Sequence, residues 1–160
     1  MKKKKFVSRW LKTNTLELVA ERIRPTAKQD TWMVDRQLKA AAGLDAIMHG
    51  TAVRAHISDI IAAHNISVAL QKYKTGDEHR AITLASADAL VAIAERFAKF
   101  GKYGATGSEI KALQDLLELH TAQLEATTVG EVQRAYEFAV NVRRSSGARR
   151  LPTNFVGEPA

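Results

Sequence analysis

Residues 52–101 read AVRAHISDIIAAHNISVALQKYKTGDEHRAITLASADALVAIAERFAKFG, and this stretch decides the fold. In its first half Val53, Ile57, Ile60, Ile61, His64 and Val68 recur at spacings of mostly three and four. In its second half Ile82, Ala85, Ala89, Leu90, Ile93, Phe97 and Phe100 do the same. Residues at that period line one face of a helix, whereas a half-buried strand needs strict alternation. Thr51 and Asp77 stand where N-caps belong, and Gly76 and Gly101 stand where helices stop. The stretch therefore predicts helices over about 52–73 and 78–100. The turn Lys74-Thr75-Gly76-Asp77 would join them in one long hairpin.

Outward from this hairpin the same grammar repeats. Asp30 precedes a helix over about 31–49 with Val34, Leu38, Ala41, Leu44 and Met48 on one stripe, and Gly43 lies inside it. Earlier, Asn14 and Glu17 have capping-box spacing for a helix over about 15–24, which Pro25 ends. Later, Thr106 or Ser108 caps a helix over about 109–126 with the stripe Ile110, Leu113, Leu117, His120 and Leu124. Thr128 and Glu131 open a helix over about 129–143, in which Val132, Ala135, Tyr136 and Ala139 share a face. Proline occurs only at 25, 152 and 159, so residues 26–151 are punctuated by glycine alone. Amphipathic helices on short links must bury their stripes against one another. The expected fold is all-α: a single bundle of five to six helices over 14–144, with a basic arm at 1–13 and a basic, proline-containing tail at 145–160. The stripes are rich in alanine and poor in large side chains, which makes a homodimer interface a candidate part of the core.

Charge is divided unevenly along the 160 residues, whose net charge is +7. Residues 1–12 hold Lys2, Lys3, Lys4, Lys5, Arg9 and Lys12 and no acid, hence +6. Residues 141–160 hold Arg143, Arg144, Arg149 and Arg150 against Glu158, hence +3. The remainder, with 14 basic and 16 acidic side chains, carries −2. A basic surplus attracts polyanions, and it here belongs to the ends. In the arm, Phe6 and Trp10 are interleaved with the lysines, a pattern suited to binding phosphates and stacking on bases. The same pattern suits peripheral contact with an anionic membrane, or a solvated tail. In the tail, paired arginines fork onto phosphate oxygens, and Arg143 and Arg144 also complement a helix C-terminus.

Other chemistry is poorly provided for. Cysteine is absent, which removes disulfides, thiolate metal sites and thiol nucleophiles. The five histidines form no HExxH or Glu-x-x-His motif, so neither a metal nor another cofactor is expected. His64 and His120 fall on apolar stripes and read as semi-buried side chains with hydrogen-bond partners. Gly101-Lys102-Tyr103-Gly104-Ala105-Thr106-Gly107-Ser108 lacks the lysine–hydroxyl pair of a P-loop, and no strand precedes it. It reads as a connector, with Lys102, Gly104, Gly107 and Ser108 as a weak anion-binding alternative. No catalytic residue is assigned. MKKKKF lacks a following apolar run, and the longest stretch free of Lys, Arg, Asp and Glu is the 12 residues Ile60 to Gln71. No transmembrane segment is therefore expected, and the expected location is cytoplasmic.

Residues 112–144, ALQDLLELHTAQLEATTVGEVQRAYEFAVNVRR, resemble the C-terminal part of small uncharacterised helical proteins of proteobacterial phages and plasmids. The shared elements are LLELHTAQLE, a short Thr-containing break, and a following helix ending in Arg. The resemblance implies a mobile-element accessory protein in a bacterial host cell, and it carries over no activity and no site residue. The expected function is non-enzymatic binding of nucleic acid through Lys2, Lys3, Lys4, Lys5, Arg9, Trp10, Lys12, Arg143, Arg144, Arg149 and Arg150. The alternative is a protein-interaction or assembly component, such as a phage-encoded inhibitor, that meets an acidic or other protein through its helical body.

Overall fold

A computed structural model describes residues 31–72 and 76–144. The arm at 1–13, the helix expected over 15–24, the turn residues 73–75 and the tail at 145–160 lie outside the described residues. The described chain is all-α. It comprises α1 (Thr31–Met48), α2 (Arg54–Leu70), a 3₁₀ turn (Gly76–His79), α3 (Arg80–Phe100), α4 (Gly107–Glu125) and α5 (Val129–Arg144).

The first four helices run up and down, and α2 lies at the centre, packed on all four others. One core cluster joins Leu44 and Ile47 at the end of α1 to Ile57 and Ile60 at the start of α2. Ala89, Leu90, Ile93 and Ala94 of α3, Leu113 and Leu116 of α4, and Tyr103 complete it. A second cluster joins Met33 at the start of α1 to Ile66, Ala69 and Leu70 at the end of α2, with Leu124 of α4 and Val132 and Ala135 of α5. The bundle thus has two poles, and α5 closes the second. Ile57, Ile60, Ile93, Leu113, Leu116, Leu124 and Ala135 are all 0% exposed, so these positions carry the largest share of the hydrophobic stabilisation.

A polar layer runs alongside the second cluster. Ser67 of α2 meets His120 of α4 at 3.0 Å, and His64 of α2 meets Ser86 of α3 at 3.0 Å. The Thr83 hydroxyl donates to Gln71 Oε1 at 3.1 Å, and Gln123 Nε2 donates to the Ser67 carbonyl at 3.2 Å. Polar groups taken out of water need such partners, and these partners come from three different helices, so they fix the register of one helix against another.

Two apolar stripes are rotated from their sequence assignment. On α1, Val34, Leu38, Ala41 and Met48 are exposed, and the buried face is Met33, Ala40, Gly43, Leu44, Ala46 and Ile47. The reason is Gly43, which lets the α2 backbone approach where any larger residue would hold it away. On α3 the buried face begins at Thr83 and Ser86 rather than Ile82 and Ala85, because the polar layer faces it there, and Phe100 is 64% exposed. Val53, just before α2, and Val68 within it are also exposed.

The caps explain where helices begin. Thr106 Oγ1 accepts from the Glu109 amide at 3.3 Å while Glu109 Oε2 accepts from the Thr106 amide at 2.7 Å. The same reciprocal pair joins Thr128 and Glu131 at 3.4 and 2.7 Å. Thr51 does not cap α2. Its amide and hydroxyl instead donate to the Ala46 carbonyl and finish α1, and His56 Nδ1 accepts from the Val53 amide at 3.2 Å at the start of α2. Asp77 lies in the 3₁₀ turn, which lengthens the link into α3.

Candidate functional site

Trp32 and Arg36 stand four residues apart on α1 and so share a face. Met33, between them, is buried against Val132 and Ala135, which fixes the start of α1 beside α5. This brings Tyr136 edge-on to Trp32, with ring centroids 6.4 Å apart at 88°. The Arg36 guanidinium carbon lies 4.5 Å from the Trp32 ring centroid and 5.8 Å from that of Tyr136. Both rings remain substantially in solvent, Trp32 at 44% and Tyr136 at 43% exposure. A groove of about 190 Å³ adjoins them, lined by Trp32, Met33, Val129, Val132 and Gln133.

Arg36 Nε is buried without a hydrogen-bond partner. It borders a water-sized cavity of about 10 Å³ that Asp59, Ile66 and His120 also line. The two rings therefore hold the guanidinium by cation–π attraction, at a position where its charge is spread over an aromatic surface. Elsewhere on α5, Lys72 Nζ lies 4.5 Å from the Phe138 ring centroid.

The residues assigned from sequence fall in three places. Lys2, Lys3, Lys4, Lys5, Arg9, Trp10, Lys12, Arg149 and Arg150 lie outside the described residues. Arg143 and Arg144 are the last two residues of α5. Lys102 is exposed, Gly107 is the first residue of α4, and the Ser108 hydroxyl bonds that of Thr106 at 3.1 Å. Around this loop, Arg96 forks onto Glu109 at 2.9 and 3.0 Å and also donates to the Gly104 carbonyl. Tyr103 is buried and stacks on Phe97, centroids 4.0 Å apart at 7°. Burial alone would raise the Glu109 carboxyl, but the hydrogen bonds from Arg96 and the Thr106 amide overcome this and hold it below its usual value. Two of the amide donors at the start of α4 are thus engaged within the chain, beside a carboxylate.

The histidines of the polar layer are both pushed down to about 4 by burial, and so are neutral at pH 7. They do not pair with each other, since each is bonded to a serine on another helix. Ser67 and Ser86 are 0% exposed, so in this conformation no substrate reaches either hydroxyl. His49, on the surface, bonds the Asp45 carbonyl at 2.9 Å and lies 3.3 Å from its carboxylate. Among the described residues, no cluster of three or more His, Asp or Glu could hold a metal ion. Nor is any described helix long and apolar enough to cross a membrane.

No protein-family model, curated protein or solved structure matches the chain.

Trp32, Arg36 and Tyr136 were not singled out by sequence as a site. The Trp32–Arg36 spacing is readable as an i, i+4 pair at a helix start. Tyr136 was assigned to a helix face shared with the buried Val132 and Ala135, and nothing in its local spacing announces that it meets α1.

Proposed function

We propose that this protein is a non-enzymatic nucleic-acid-binding factor that grips phosphates with its basic ends, as a mobile-element accessory protein of a bacterial cytoplasm would. The observation that supports this reading is that α1 begins beside α5, the helix that ends in Arg143 and Arg144. α1 begins at Thr31, next to Trp32, whose ring meets Tyr136 of α5 at 6.4 Å. From Tyr136 the helix runs on to Arg144, roughly 12 Å at 1.5 Å per residue. The +3 of residues 141–160 thus begins on the helix that meets the start of α1, while the +6 of residues 1–12 lies outside the described residues.

The test is titration of DNA and RNA at two salt concentrations. It compares the chain with one carrying Lys2, Lys3, Lys4 and Lys5 as Gln. The reading expects affinity that falls steeply with salt, and a shallower salt slope in the glutamine chain, because fewer counterions are released. A full chain with no salt-sensitive binding overturns it.

A second reading, interaction with another protein through the helical body, is favoured by the outer face of α1. Val34, Leu38 and Met48 are 38%, 65% and 51% exposed there. Co-purification that is lost in Leu38→Glu but kept in the glutamine chain would select it.

A further inference from the structure

We propose that the Trp32–Arg36–Tyr136 surface is a stacking site for the unpaired bases of a single-stranded nucleic acid. The inference rests on the nucleic-acid reading above and adds to it which form of nucleic acid is bound, and where.

Three observations converge on it. Two aromatic rings pack edge to face, and each keeps over two-fifths of its residue's surface in solvent. A planar cation lies over both rings, and guanidinium stacks on bases as well as on aromatic side chains. The adjoining groove of about 190 Å³ has apolar walls from Met33, Val129 and Val132 and one amide, from Gln133, able to meet a base edge.

Charge selects the occupant. An apolar peptide would gain nothing from Arg36, whereas a phosphate backbone beside the groove would meet its positive charge. The neighbouring acid on α1, Asp35, is already paired with Lys39 at 2.7 Å. Duplex bases are stacked on each other and present no free face, so the surface favours single strands.

The experiment uses the full chain with three probes of equal length: an oligothymidylate, an abasic deoxyribose-phosphate oligomer, and a duplex. Wild type is compared with Trp32→Ala/Tyr136→Ala and with Trp32→Phe/Tyr136→Phe. Circular dichroism confirms folding of each variant. Wild type should bind oligothymidylate more tightly than the other two probes. The alanine pair should cut that preference roughly tenfold to a hundredfold while keeping abasic binding and its salt slope, and the phenylalanine pair should retain most of it.

Wild type that binds with salt sensitivity but without preference over the abasic chain overturns the stacking site alone. An alanine pair that keeps full preference for oligothymidylate does so too, and then leaves these rings to a protein partner. Wild type that binds none of the probes overturns the stacking site together with the reading beneath it.

Discussion

Gly43 of α1 lies so close to His56 of α2 that a Cβ on the glycine would stand 2.7 Å from the His56 carbonyl oxygen and 3.3 Å from Ile60 Cγ1. The nearest atom is backbone and cannot swing aside. Glycine in a helix interior ordinarily costs about 1 kcal/mol relative to alanine. Here alanine would overpack the α1–α2 crossing, at roughly 1–3 kcal/mol. Gly43→Ala should therefore lower the melting temperature despite its better helix propensity. A thermal melt decides this, and a raised melting temperature would refute the close crossing.

The rotated face of α1 gives a paired prediction. Leu44 is 8% exposed and belongs to the first core cluster, whereas Leu38 is 65% exposed. Leu44→Ala should cost about 2–5 kcal/mol in urea unfolding, and Leu38→Ala should stay within about 0.5 kcal/mol. Equal losses would mean that Leu38 is covered.

His64 and His120 make stability depend on acid. Their pKa values in the folded state are near 4, below the ordinary value of about 6.5 that the unfolded chain retains. The unfolded state therefore binds more protons as pH drops below 6.5. The stability tied to neutral histidine is complete above that pH and is lost progressively down to about 4. Between pH 7 and 5.5 each histidine should remove roughly 1 kcal/mol of unfolding free energy. Urea titrations at the two pH values measure this in a range that leaves most carboxylates ionised. In His64→Gln/His120→Gln the difference between them should largely disappear.

Arg96 and Glu109 tie the connector before α4 to α3, with side chains only 30% and 14% exposed. Glu109 also serves the Thr106 amide, so Glu109→Ala removes an ion pair and a cap together. The expected loss is about 1–3 kcal/mol, with faster amide exchange over residues 101–106. Lys39→Ala breaks the exposed Asp35 pair and should change stability far less, because solvent screens that pair. Similar costs for the two substitutions would show that the Arg96 fork is no better than a surface pair.

Two capping signals were readable because they are local, whereas Thr51 and Asp77 are not the caps their positions suggest. Thr106 with Glu109 and Thr128 with Glu131 close their hydrogen bonds across three residues, and the structure contains both. Helix existence was equally legible, since five stripes at helical period lie between glycine stops in a stretch without proline. The faces were less so. On α1, two apolar stripes compete in sequence, and hydropathy ranks Leu38 above Gly43 although the glycine is the buried one. Packing at that crossing is decided by how closely two backbones can approach, which no single-helix pattern encodes.

The candidate site divides in the same way. That the excess charge sits in residues 1–12 and 141–160 is determined by the sequence alone, because charge is a sum over residues and needs no geometry. So are the helical class and the absence of cysteine chemistry. Only the tertiary structure decides that the start of α1 meets the middle of α5. The burial of Met33 with Val132 and Leu70 in the second core cluster draws Trp32 and Arg36 onto Tyr136. The physical reason is that stripes on separate helices specify that each must be buried, whereas the complementary shapes of their side chains choose against which neighbour.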